Sequence, residues 1–329
     1  MFHILTRRAG LLSVALTSLA LIAGCASGAS PSATTAAGSA ASAPATGSVS
    51  IGVALSTLNN PYFVTLNDAA KDEAQAKGAT VASADGQNDL AKQTSQVEDF
   101  ISKGVSCIIV NPVDSAGIAS AVSEANDANI PVIAVDRGVE GATTAGFIAS
   151  DNVDAGKLAA DALLGALNGS GKIAVLTGVP GASATNDRTK GFEQSLAANP
   201  GITVVANQTA KFDRATALSV TEDMLQAHPD IQGIFAENDE MALGAIQALT
   251  AAGQDGKVLV TAIDGTDDGM QAIKAGTLLE TIAQQPAFMG KTAVDYCVSL
   301  AAGESVQSGF TASPLIEINK DNVDQYLAG

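Results

Sequence analysis

The chain has 329 residues, with 34 acidic against 17 basic side chains and a formal net charge of −17. Such a surface repels nucleic acid and anionic lipid, which excludes partners recognised through phosphate. Hydrophobic residues make up 47% of the sequence but aromatic residues only 4%, so there is material for more than one core and each aromatic side chain stands out.

Arg7 and Arg8 precede an apolar run too short for a comfortable membrane span, and Ile22-Ala23-Gly24 leads into Cys25. Residues 1–24 therefore read as an export signal. Cys25 after that triplet has the pattern of a bacterial lipobox, whose cysteine is acylated and becomes the mature N-terminus. An ordinary signal peptide with an incidental cysteine is the alternative, and Thr6-Arg7-Arg8 leaves the Sec or Tat route open. Residues 26–47 are almost wholly Ala, Ser, Thr, Gly and Pro. They cannot bury a core, so 25–48 is expected to be a flexible tether holding a domain at the outer face of the cytoplasmic membrane. Removal of 1–24 takes away two arginines and no acid, leaving a charge of −19.

From Val49 on, short β-branched runs alternate with Ala-rich amphipathic segments. The runs are Ser50–Leu55, Thr80–Ala84, Cys107–Val110, Val132–Val135, Gly146–Ala149, Ile173–Leu176, Thr203–Ala206, Gly233–Phe235, Val258–Ile263 and Leu279–Ala283, with a late one at Leu315–Ile318. Helical segments lie between most of them, among them Thr65–Lys77, Lys92–Lys103, Gly156–Leu167, Thr216–Gln226 and Met241–Ala251. This alternation predicts an α/β fold of parallel sheets covered on both faces. So many strands exceed one comfortable open sheet, and the run divides near Ser150-Asp151-Asn152, so two doubly wound sheets are expected. Cys107 falls in an apolar strand and Cys297 in a helical stretch; each reads as a small buried hydrophobe, and the sequence leaves open whether they pair.

In open parallel sheets ligands bind beyond the carboxyl ends of the strands. Ser56, Asn60, Asn111, Asp136, Arg137, Asn238, Asp264 and Gln284 stand there, nearly all of them hydrogen-bonding side chains. Asn60, Asn238 and Asp264 also suit helix N-caps, and Ser56 and Asn111 suit turns. Tyr62 and Phe63, just after the first strand, offer flat rings beside these groups, which is what the apolar faces and hydroxyl rim of a sugar require. Asp136 and Asp264 balance Arg137 and Arg188, which fits a neutral polyhydroxyl compound better than an anion. Chemistry finds no support. His228 beside Pro229 reads as a turn residue, Cys/His metal spacing is absent, Gly169-Ser170-Gly171-Lys172 lacks the other elements of a phosphate loop, and Thr266 and Ala275 break the calcium-loop pattern at Asp264–Gly269. No enzyme activity, cofactor or metal is expected.

Several motifs carry a resemblance: SerThrLeuAsnAsnPro at 56–61 with Tyr62-Phe63, AsnPro at 111–112, AspArg at 136–137, SerAspAsn at 150–152, PheAspArg at 212–214, AsnAspGluMetAlaLeuGly at 238–244, AspGlyThr at 264–266 and ThrIleAlaGln at 281–284. From about Val49 to about Gly303 the chain closely resembles the bacterial ribose-binding proteins, type I periplasmic receptors of ATP-binding-cassette importers. The resemblance implies two Rossmann-like lobes joined by three crossovers, one of residues 49–150 with 285–313 and the other of 151–284 with 314–329. It makes Tyr62, Phe63 and Phe212 the rings that sandwich the sugar. Ser56, Asn60, Asn111, Asp136, Arg137, Arg188, Asn238, Asp264 and Gln284 become its hydrogen-bonding partners. It further implies a monomer that hands the sugar to a permease and its ATPase. Tyr62 stands where phenylalanine is usual, and Ile263 replaces a phenylalanine, which would remove an aromatic wall. Ribose therefore shares the field with allose-like, xylose-like or xylitol-like compounds. A sensor for a chemoreceptor or membrane kinase with the same site is the alternative role.

Overall fold

The computed structural model describes residues 48–327; the expected signal, Cys25 and nearly all of the expected tether lie outside them. The first lobe opens with β1 (Ser50–Leu55), α1 (Pro61–Ala76), β2 (Thr80–Asp85), α2 (Leu90–Ser102), β3 (Cys107–Val110), α3 (Ala119–Asp127), β4 (Val132–Val135) and β5 (Gly146–Ala149). The second contains α4 (Asn152–Ala166), β6 (Ser170–Thr177), α5 (Ser183–Ala197), β7 (Gly201–Thr209), α6 (Arg214–Ala227), β8 (Gly233–Ala236), α7 (Asp239–Ala251), β9 (Leu259–Asp264), α8 (Asp267–Ala275) and β10 (Glu280–Ala283). The chain then returns through α9 (Pro286–Ala301) and β11 (Phe310–Ala312) to the first sheet, and crosses again to β12 (Ile316–Asn319) and α10 (Val323–Tyr326).

Two six-stranded sheets result, ordered β11-β5-β4-β3-β1-β2 and β12-β10-β9-β8-β6-β7. Every pairing in the first is parallel, and in the second only β12 runs antiparallel, against β10. Successive side chains of a strand point to opposite faces, and the sequence uses this directly. Ile51, Val53 and Leu55 of β1, Cys107 and Ile109 of β3, and Ile133 and Val135 of β4 pack under α1 and α9. The alternate residues Ile108, Val110, Val132 and Ala134 pack under α2 and α3. At Gly52 any Cβ would stand 2.5 Å from the Phe100 ring, so glycine there is what lets α2 lie close. In the second sheet the β6–β8–β9 residues Ile173, Phe235 and Ile263 face α4 and α5, while Leu176, Ile234 and Val260 face α6, α7 and α8.

Cys107 and Cys297, both fully buried, form a disulfide that ties β3 to α9 across 190 residues of sequence. Ile263 is a correction. Its side chain is buried in the core with Leu163 and Phe235, because period-two alternation turns it away from the face that Asp264 serves. It is no wall of the ligand space. Strand β11 has no counterpart among the expected runs; Phe310-Thr311-Ala312 becomes a strand only by pairing with β5.

Candidate functional site

The site is built from loops at the carboxyl ends of the strands in both sheets. In the first lobe, α1 starts on Asn60, whose Oδ1 accepts from the Tyr62 N–H at 2.9 Å, followed by Pro61 at the first helical position. That start sets the Tyr62 and Phe63 rings edge to face, with centroids 5.2 Å apart at 88°. The Tyr62 hydroxyl lies 3.5 Å from the buried Met289 Sδ of α9. Burial, reinforced by the Asp136 carboxylate, pushes its pKa well above that of a free tyrosine.

Behind these rings a chain of hydrogen bonds fixes the carboxylate. Ser56 Oγ donates to Asn111 Oδ1 at 2.6 Å, and Asn111 Nδ2 donates to Asp136 Oδ2 at 3.0 Å and to the Val135 carbonyl at 3.2 Å. Arg137 donates from NH1 to the Pro112 carbonyl at 3.0 Å and holds Nε 3.7 Å from Asp136 Oδ2. Its guanidinium lies over Phe63 at 5.3 Å and reaches Phe212 of the other lobe at 5.2 Å. Burial lowers the Arg137 pKa, opposed by Asp136.

In the second lobe α5 carries Arg188. A Cβ on Gly156 would lie 2.2 Å from the Arg188 carbonyl, and one on Gly191 2.0 Å from the Val153 carbonyl; only glycine lets α4 and α5 approach so closely. Arg188 Nε then donates to Asn152 Oδ1 at 2.8 Å, its NH1 donates to the Glu237 main-chain carbonyl, and NH1 stands 3.8 Å from Asp264 Oδ1. Asn238 Oδ1 accepts from the Met241 N–H at 3.0 Å and caps α7. Asp264 is no cap: Thr266 Oγ1 fills that role for α8, accepting from the Gly269 N–H. Asp264 instead accepts from Gln284 Nε2 at 3.0 Å, and burial pushes its carboxyl well above the usual range against the pull of Arg188. The Phe212 ring rests on Gly178, where a Cβ would be 2.0 Å from its Cζ. Three of these residues sit at positive φ, Asp136 at 62°, Phe212 at 58° and Asp264 at 138°. Backbone of this kind persists where surrounding structure holds it, and it clusters at binding sites.

One small space, of about 10 Å³, gathers Asn60, Tyr62, Phe63, Asp136, Arg137, Arg188, Phe212, Asn238 and Asp264 from both lobes. Ser56, Asn111 and Gln284 do not line it; they hold the carboxylates that do. With Oδ1 committed to a cap, Asn60 and Asn238 each have an amide nitrogen left to donate. Sequence reasoning missed Ala184, which also lines the space and offers no chemical signal. It also missed Glu237, although a carboxylate ending an apolar strand beside Asn238 was such a signal. A larger cavity of about 520 Å³ shares Tyr62 and Asp264 with that space and is bounded by Gln284, Gln285 and Pro286 at a crossover. At the rim the lobes touch directly. The Ser115 N–H donates to the Gly181 carbonyl at 3.0 Å, the Ser183 N–H to Ser115 Oγ at 3.0 Å, and the Gly138 N–H to Ser183 Oγ at 2.9 Å. Among the described residues no group of three or more His, Cys, Asp or Glu side chains is placed to hold a metal ion, and no helix is long and apolar enough to cross a membrane.

Two doubly wound lobes with a small polar and aromatic space between them define a cleft-type solute receptor. Residues 51–305 match the periplasmic binding protein domain, and the chain belongs to that family. It is 44% identical over 271 residues to the ribose import binding protein of Bacillus subtilis, covering 82% of this chain and 88% of that protein. It is 36% identical to the xylitol-binding protein of Mycolicibacterium smegmatis, over 72% of this chain and 68% of the relative. A solved ABC transporter solute-binding protein from Bacillus halodurans, with bound myo-inositol, superposes with a TM-score of 0.81 at 37% identity, covering 86% of this chain and 98% of that one. The protein is a solute-binding protein that works outside the cytoplasm, not an enzyme.

Proposed function

We propose that the protein captures a neutral monosaccharide, D-ribose first among them, between lobes 49–150 with 285–313 and 151–284 with 314–329, and delivers it to an ATP-binding-cassette permease. Acylation of Cys25 would hold it, as a monomer, at the outer face of the membrane. The observation that carries this reading is the convergence, from both sheets, of three aromatic rings, two carboxylates and two guanidinium groups on one small space. Rings supply affinity for the apolar faces of a sugar ring, and the charged pairs act as fixed donors and acceptors for its hydroxyls.

Of the two departures from the ribose pattern, Ile263 falls outside the ligand space and Tyr62 lines it. Ile263 belongs to the core, and the Tyr62 hydroxyl sits against Met289. Ile263 therefore presents no new group to the sugar. A polyol such as xylitol or myo-inositol is the second reading, favoured by what two of the similar proteins bind. Calorimetric titration with ribose, allose, xylose, xylitol and myo-inositol separates the two. Ribose is expected to bind tightest, and Arg137→Ala to abolish its binding; full ribose affinity in that variant would overturn the site.

A further inference from the structure

Glu237 lies directly behind the site and is fully buried. One carboxylate oxygen accepts from the Gly178 N–H at 2.7 Å and the other from the Thr189 hydroxyl at 2.6 Å. Gly178 is the residue on which the Phe212 ring rests, and the Glu237 main-chain carbonyl accepts from Arg188. The Glu237 carboxylate thus holds the glycine under the ring, and its main chain holds the guanidinium. The charged group that faces it is Arg188 of α5. Asp264 of β9 reaches it only through Arg188, and Asp239 of α7 is held apart by Thr266 and Thr281.

We propose that Glu237 is the positioning residue of the second lobe's half of the site, and that its carboxyl takes up a proton when ligand binds. The proposal rests on the sugar-site reading above. The Glu237 carboxylate accepts only from the neutral Gly178 N–H and Thr189 hydroxyl, with no cation hydrogen-bonded to it. Burial raises its pKa to about 7, opposed by Thr189, Gly178 and Arg188. Ligand hydroxyls that engage Arg188 weaken its pull on the anion, and binding then favours the neutral acid. Protonation leaves the geometry intact: the oxygen facing Gly178 still accepts, and the other donates to a reversed Thr189 hydroxyl. A glutamine would do the same with its carbonyl and amide.

Calorimetry of D-ribose on the full chain, at pH 6 and pH 8 and in buffers of different ionisation heat, tests this. Wild type should bind at least threefold more tightly at pH 6 with net proton uptake. Glu237→Gln should bind equally at both values and match wild type at pH 6, and Glu237→Ala should weaken binding tenfold or more at both. Equal pH profiles for wild type and Glu237→Gln, or unchanged affinity in Glu237→Ala, would overturn it. A ligand-free readout separates this outcome from failure of the sugar reading. A carboxyl whose folded pKa lies above its unfolded value of about 4.5 makes no penalty below that value and a full one above about 7. The melting temperature of Glu237→Gln should therefore exceed that of wild type increasingly from pH 5 to pH 8. A difference in melting without sugar binding condemns the sugar, and no difference condemns the role given to Glu237.

Discussion

Gly178→Ala is a substitution whose effect can be worked through from distances. Its Cβ would stand 2.0 Å from Phe212 Cζ and 2.3 and 2.4 Å from the two Cε atoms. Carbon atoms pack at about 3.5–4.0 Å, so the ring must withdraw by roughly 1.5 Å. Gly178 is not among the residues at positive φ, so alanine strains no backbone there, and the change is confined to the ring. If Phe212 covers one face of the sugar, about 60 Å² of apolar contact at about 25 cal/mol per Å² is lost, near 1.5 kcal/mol or tenfold in Kd. Phe212→Ala removes the same stack and sets the upper bound. Titration calorimetry on both single variants and the double variant closes a cycle. The double variant should bind within about twofold of Phe212→Ala. A Gly178→Ala protein with undiminished affinity, or one that loses a further tenfold without the Phe212 ring, would refute the argument that the glycine exists for that ring.

Ser183→Ala deletes one hydrogen bond between lobes and touches no ligand group; an energy near 1 kcal/mol makes Kd about fivefold weaker for every sugar, with their ratios unchanged. Altered ratios, measured by competition, would mean that Ser183 contacts the ligand. Asn111→Ala leaves the Ser56 hydroxyl and an Asp136 oxygen without their partner in a fully buried position, and a loss of about 2–4 kcal/mol in urea unfolding together with weakened binding is expected. Joint replacement of Cys107 and Cys297 by serine opens a loop of 190 residues. Chain entropy then sets a ceiling of about 5 kcal/mol, roughly a 10 °C fall in melting temperature, while affinity at 25 °C stays as in wild type.

How far the sequence carried depended on whether a feature is local. β1, β3, β4 and β5 were legible to the residue, because each is an apolar β-branched run that stops at a polar turn. β6 and β7 extend beyond their apolar centres, since polar residues at their ends are recruited by pairing with each other. β11 was invisible, having three residues and no period. The same divide runs through the site. Asn60 and Asn238 were ambiguous between cap and ligand group, and they serve as caps while lining the space. Their capping is written in the chain and their convergence is not, for it depends on where both sheets place them. Positive φ at Phe212 has no signature in the sequence, while at Asp136 and Asp264 the residue type permits it without announcing it.

The distribution of charge bears on how such a cleft can open at all. Asp136 and Arg137 belong to one lobe, Arg188 and Asp264 to the other, and each pair lies within its own lobe at 3.7 and 3.8 Å. Had the acids stood on one lobe and the bases on the other, opening would separate unlike charges across a poorly hydrated gap, and the empty protein would be driven shut. With an ion pair inside each lobe, the pull of Asp264 on Arg137 across the cleft is opposed by the repulsions between Arg137 and Arg188 and between Asp136 and Asp264, leaving the Arg137–Phe212 contact and the three hydrogen bonds at the rim. These are interactions of about a kilocalorie each, matched by water when the lobes part. Closure is thus left close to balance, where the contacts of an uncharged ligand with both lobes suffice to shift it.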